Sequence, residues 1–401
     1  MAAAVTWLAP YGGDYAFDAA PAVDAVLRGD LDRFLSAQHL MGTFAVLVRV
    51  PWVALASAFD GGELLAYRVG ALPCVVAAGL LGFYVRSLMA RHHASGLAQV
   101  GVIVLCVLNP LTLSALRFGH PEEMLGAALC VGAVIAARER HAGGAGLLLG
   151  LALATKQWAL LAVLPVLLAA PDRRLRIALI SGSIAMALTL PLAIADRGAF
   201  VETHTRMVVT STNLGPYSVW WPLETHRERT FSDGAQLVSV TRSSLPDWMS
   251  PIPHLLIVLA AVPLAFLYWR RRGWLRADDA LGLLALLFLL RCVLDPVNNT
   301  YYHVPFVIAL AAYEALRHRR APIVATLASI LAWQTTGDMF AVHQTAAANA
   351  IYLAWTLPLV AYLALELYLP QTIATLRSRA GRLVPRSRRS PLRSELSRRA
   401  T

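Results

Sequence analysis

The chain has 401 residues, 57% of them hydrophobic and only 15% charged, and a formal net charge of +11. A soluble domain carries about 25% charged residues, and the apolar runs here repeat at lengths near or above about 18 residues. That pattern marks an all-α polytopic membrane bundle and excludes a soluble enzyme. A transmembrane barrel needs ~10-residue alternating segments, and the sequence has none.

In chain order, "MAAAVTWLAP" is too short to cross a bilayer and lacks a signal-peptide pattern. It reads as the stump of a first span that is truncated or absent. "YGGDYAFDAAPAVDAVLRGDLDRF" follows, with Asp14 and Asp18 just past the stump. A carboxylate there can act as general base on a hydroxyl; a helix cap or a solvated acidic loop explains it as well. The stretch 42–59 carries Arg49 and Pro51, which disfavour a clean span, so it reads as a helix lying on or dipping into the outer surface. Residues 1–62 thus form an outer loop with surface helices.

Apolar spans are predicted at 63–85, 98–116, 123–137, 144–155, 157–170, 177–194, 253–269, 280–294, 302–316, 321–335 and 348–369, eleven in all. The turns between them alternate in kind. "RSLMARHH", "RERH", "DRRLR", "RRRGWLR" and "RHRR" are basic, whereas "RFGHPEE", "TKQW", the segment 195–252, "DPVNNTYYH" and "GDMFAVHQ" are not. The positive-inside rule places the basic set in the cytoplasm. Residues 63–194 and 253–370 become two transmembrane modules separated by a long outer loop or lid. The tail 371–401 is basic, with nine arginines from Leu376 onward. It reads as a cytoplasmic anchor beside anionic lipid rather than a nucleic-acid binder.

Residues 144–170 contain Lys156, the single lysine of the chain. As one helix they would span about 40 Å against a ~30 Å core and would strand one basic flank outside. Two short helices with an outer turn at "TKQW" keep both flanks inside. Three arginines also fall at the outer ends of spans: Arg68, Arg117 and Arg291. Cations at lipid depth pair, snorkel or line a cavity. Together with Lys156 they are candidates to bind a lipid phosphate. Pairing with Glu63, Glu122 or Asp295 is the plain alternative.

"RFGHPEEMLGAAL" puts His120, Glu122 and Glu123 at the start of a span, where acidic residues suit the helix dipole. They could also supply a second acidic group facing the first loop. A divalent metal stays open there, without support from spacing because adjacent glutamates do not share a helix face; no cofactor is required. In 195–252, Trp220 and Trp221 are either interfacial belt residues or a platform for a sugar ring. Tyr301 and Tyr302 in "DPVNNTYYH" are further candidate sugar or acceptor contacts. The four cysteines lie in apolar runs without metal spacing and read as small packing residues. No phosphate loop, HExxH, GxSxG or dinucleotide fingerprint is present in a suitable context.

"GGDYAFD", "GHPEEMLGAAL", "AGLLLGLALATKQWALLAVLPVLL" and "DPVNNTYYHVPFVIAL" together resemble the C-type glycosyltransferase superfold. More narrowly they resemble glycosyltransferase family 87, the polyprenyl-phosphate-mannose-dependent mannosyltransferases of actinobacteria. The resemblance implies inverting transfer from a polyprenyl-phosphate sugar to a glycan or glycolipid on the outer side of the plasma membrane. It implies an aspartate of the first outer loop as base, Asp14 first and Asp18 second. Cations such as Lys156 and the outer arginines would stabilise the departing phosphate. The family's first transmembrane helix, expected before that aspartate, has no full counterpart. A transporter or lipid flippase is the rival reading, since it too would want cations near lipid depth.

Overall fold

In a computed structural model, residues 2–8, 13–39, 41–206, 213–215, 217–233, 236–271, 278–337 and 346–372 are described, with side chains omitted at 2, 205–206, 227–233 and 236–242. The basic tail beyond 372, most of "RRRGWLR" and most of "GDMFAVHQ" lie outside them.

Helices dominate, and every predicted span is helical, most as one helix and the others as a pair of helical segments. The N-terminal region folds as α1 (Ala2–Leu8), α2 (Asp14–Asp18), α3 (Ala20–Leu27), α4 (Leu31–Ser36), α5 (Thr43–Leu47) and α6 (Val50–Ser57). The first module is α7 (Glu63–Ala90), α8 (Gly96–Val107), α9 (Pro110–Arg117), α10 (Glu122–Arg138), α11 (Ala142–Leu153), α12 (Val163–Ala169) and α13 (Arg174–Ala195). After the short α14 (Arg197–Val201) and the central segment come α15 (Ile252–Arg270), α16 (Asp279–Leu294), α17 (Val304–His318), α18 (Ile323–Thr336) and α19 (Ala346–Tyr368).

Burial sorts these helices in a way their hydropathy does not. α10, α16 and α17 are buried along nearly their whole length and form the centre of the bundle. α13 and α19 instead present apolar side chains outward, with only 17% and 22% of their most apolar windows buried. In a membrane protein the outer face needs no polar cover, because lipid is its solvent. Among the described residues, five segments have the length and hydropathy to cross a membrane: Glu63–Ala90, Gly96–Arg117, Pro171–Ala195, Asp247–Arg270 and Ala346–Tyr368. The remaining helices are shorter or carry charge at their ends.

The predicted span 98–116 is two helices. Pro110 has no N–H to donate, and the Asn109 side chain caps α9 by accepting from Leu111 and Thr112 N–H. The 144–170 stretch is a hairpin. α11 stops at Leu153, Lys156 is extended at φ −153°, and a 3-10 turn (Gln157–Ala162) leads into α12. α13 then runs beside α11. A Cβ at Gly146 would meet Ile180 at 2.7 Å, and one at Gly150 would meet Ile184 at 2.8 Å. The two glycines therefore let these backbones touch, as small residues four apart do between membrane helices.

Where they are described, the two kinds of turn occupy opposite ends. Basic turns meet each other: Arg138 pairs with Asp278 at 2.9 Å, Arg317 with Asp279 at 2.7 Å, and Tyr84 bonds Glu139. The other turns meet at the far end of α10, about 25 Å away for a 17-residue helix. There Tyr67 donates to Leu116 O, Thr300 to Thr336 O, and Trp220 to Leu294 O.

The segment 195–252, expected to be a loop or lid, contains an antiparallel hairpin. β1 (Thr225–Asp233) pairs with β2 (Gln236–Ser244), from Thr225 opposite Ser244 to Asp233 opposite Gln236. This is the one departure from an all-helical chain among the described residues. The stretch 42–59, expected as one surface helix, breaks between α5 and α6 at Val48–Arg49. All four cysteines are free and buried.

Candidate active site

Glu122 opens α10 and is fully buried. Its Oε2 contacts Arg49 Nη2 at 2.5 Å; its Oε1 lies 3.0 Å from Lys156 Nζ and 2.9 Å from His120 Nδ1. On the solvent-facing side, His120 Nε2 lies 3.1 Å from Asp14 Oδ2. A chain of polar groups thus runs from Asp14, with 54% of its side chain exposed, through His120 to a carboxylate with none. An isolated buried carboxylate is costly, and here two fixed cations and an imidazole surround it.

Glu123 begins a second branch. Its Oε1 accepts from Trp158 Nε1 at 3.2 Å and lies 3.7 Å from Lys156 Nζ; its Oε2 is 3.9 Å from Arg291 Nη1. Arg291 is sandwiched by aromatics, 4.4 Å from the Tyr302 ring centroid and 5.3 Å from that of Trp158, and donates to Tyr302 O. Tyr301 stacks on His120 with centroids 4.5 Å apart.

Local sequence explains the convergence. Tyr15, next to Asp14, is buried against Tyr67 at 5.1 Å and against Arg49, which seats α2 on α6 and α7. Gly42 docks the chain on the "TKQW" turn, with its N–H donating to Thr155 O at 3.0 Å. A Cβ there would lie 2.2 Å from Ala154 O, so only glycine fits. Gly126 leaves room for the Trp158 ring one turn below Glu122, where a Cβ would come within 2.9 Å of it. Gly119, at φ 87°, turns the chain from α9 toward His120.

Electrostatics separate the two loop aspartates. The hydrogen bond from His120 holds Asp14 below the usual carboxylate range. Burial pushes Asp18 up, against the attraction of His120 and Lys156. Burial works against the charge on Lys156, yet Glu122 and Glu123 outweigh it and hold its pKa above the ordinary value.

The structure brings together Asp14, His120, Glu122, Glu123, Lys156, Arg291, Tyr301 and Tyr302. Asp18 lies one turn from Asp14 on the same helix. Arg68 and Arg117 do not join Glu122 and Glu123; their guanidinium groups lie over the rings of Trp7 and Phe118. Trp220 spends its N–H on Leu294 O, and Trp221 packs with Leu214 and Leu245, so both anchor the central segment. Arg49 was not singled out as a site residue from sequence. Its partner signal was the buried acidic pair, visible only once α10 was known to be central. Among the described residues, no group of three or more His, Cys, Asp or Glu side chains is arranged to hold a metal ion.

The family model of glycosyltransferase family 87 matches residues 40–296, which take in Arg49, His120, Glu122, Glu123, Lys156 and Arg291. No curated protein and no solved structure matches the chain. With more than half of its length matched and its charged cluster at one end of an apolar helical bundle, the chain belongs to glycosyltransferase family 87 and is a membrane glycosyltransferase.

Proposed function

We propose that the protein transfers a sugar, mannose by family resemblance, from a polyprenyl-phosphate donor to a glycan or glycolipid acceptor, with inversion and with Asp14 as general base. The observation that carries this reading is the half-exposed Asp14 carboxylate, bonded to His120 above the buried Glu122. It is the outward end of a pre-organised charged cluster, where a hydroxyl can reach it. The acceptor oxygen attacks the anomeric carbon while Asp14 takes its proton. The bond from that carbon to the phosphate oxygen breaks, and polyprenyl phosphate leaves with the electron pair. Family membership favours this over the transporter or flippase reading.

The cluster's charges refine the donor side. With His120 protonated, Arg49, Lys156, Arg291 and His120 give four positive charges against three from Asp14, Glu122 and Glu123. Lys156 and Arg291 are each committed to a glutamate, so they shape the potential of the site rather than offer free cations to phosphate. By the positive-inside rule the basic turns face the cytoplasm, which puts this cluster on the extracytoplasmic side of a multi-pass plasma-membrane protein.

Asp14→Asn, assayed in membrane vesicles with radiolabelled polyprenyl-phosphate mannose, should abolish transfer while the protein stays in the membrane. Persistent transfer in that variant, with loss in Asp18→Asn, would move the base to Asp18.

A further inference from the structure

His120 touches a carboxylate at each ring nitrogen, Glu122 Oε1 at Nδ1 (2.9 Å) and Asp14 Oδ2 at Nε2 (3.1 Å). An ionised carboxylate only accepts hydrogen bonds, and neutral imidazole carries one N–H. Both contacts are hydrogen bonds at once only when both nitrogens are protonated. We infer that His120 is a positioning residue acting as an imidazolium clamp, which holds the Asp14 carboxylate in place by donating to it and to Glu122 together. The inference rests on the reading of Asp14 as the base.

The surroundings of the ring fit that role. From α2 it faces Asp14 and Asp18; from α10, Glu122; from the "TKQW" turn, Lys156; and the Tyr301 ring covers one face. Arg49 fixes Glu122 from behind and so sets the inner anchor of the clamp. Lys156 opposes a charge on the ring, and the three carboxylates favour it. Burial also opposes it, but the bonds to Asp14 and Glu122 prevail, so His120 titrates above the ordinary histidine value.

The pH signs follow from this arrangement. The working state has Asp14 ionised and His120 protonated. As pH falls through the lowered pKa of Asp14, the carboxylate gains a proton and cannot act as base. As pH rises through the raised pKa of His120, the ring loses one proton and one of its two bonds. The fully buried Glu122 keeps the remaining donor, because it has no water to turn to. Asp14 is then released, and transfer falls on the alkaline side.

The test measures transfer from polyprenyl-phosphate mannose against pH for the wild type, His120→Gln, His120→Gly with and without added imidazole, and Asp14→Asn. Displacing a reacting group by about 1 Å can cost about 10²-fold, so His120→Gln should lower kcat by about that factor with little change in either KM. It should also lose the alkaline limb. His120→Gly should regain activity with imidazole, and the rescue should fade as the added imidazole deprotonates. A wild-type alkaline limb that persists in His120→Gln, or rescue independent of imidazole protonation, overturns the clamp. If Asp14→Asn is inactive while His120→Gln keeps the wild-type profile, the clamp fails and the base stands. If Asp14→Asn stays active, the base itself fails.

Discussion

Arg49 and Glu122 make a test of how the bundle tolerates charge. Their side chains are 1% and 0% exposed, so neither meets water. Removing one partner of a buried pair costs about 3–5 kcal/mol because the other charge is left uncompensated. The two deletions are not equivalent here. Arg49→Met leaves Glu122 with Lys156 at 3.0 Å and His120 at 2.9 Å, so its cost should be near the lower figure, about 3 kcal/mol. Glu122→Gln leaves Arg49 with the Met41 sulfur and the Tyr15 ring, neither an anion, so its cost should be near about 5 kcal/mol. The double variant removes both charges and should be no less stable than Glu122→Gln, a coupling of at least about 3 kcal/mol. Denaturation of the purified protein in mixed micelles, followed by tryptophan fluorescence, measures all three. Additive costs, or an Arg49→Met cost below about 1 kcal/mol as for a surface pair, would refute the buried-pair argument.

Two further outcomes follow from the same cluster. Gly42→Ala places a Cβ 2.2 Å from Ala154 O, against backbone that cannot swing away. It should cost at least about 1–3 kcal/mol and lower transfer by unseating the chain that leads to Arg49; wild-type activity would refute the docking role. Lys156→Met should lower kcat and stability together while leaving the donor KM unmoved, because its charge serves Glu122 and Glu123. A selective rise in donor KM would instead return Lys156 to the phosphate.

The architecture was legible because a membrane imposes long-range order on local composition. Basic turns recur at one end, and that parity, together with length, splits 144–170 into two helices, which the structure shows as α11 and the 3-10 turn leading into α12. Parity does not report which helices are central. α10, α16 and α17 look like other spans in sequence, yet they are the ones sealed from lipid. The hairpin β1–β2 is hard to see in sequence because its strands are mostly polar and so offer little period-two apolar pattern.

The site was half legible for a related reason. Each of His120, Glu122, Glu123, Lys156 and Arg291 stands out in an apolar chain, since charge at a span end must find a partner. Which partner each finds is a property of packing. Arg49 looked like a reason against a span, and it is the counter-ion that permits a carboxylate at the head of the central helix. That pairing then limits the chemistry. With Arg49 and Lys156 fixing Glu122, the inner contact of His120 is held, and the ring's other carboxylate contact among the described residues is the half-exposed Asp14. Tyr15 already seats the five-residue helix α2 on the bundle, and the contact with His120 adds a hold on the neighbouring Asp14 carboxylate itself. On the reading of Asp14 as base, the buried ion pairs act on catalysis at one remove, by giving His120 a fixed place from which to hold Asp14.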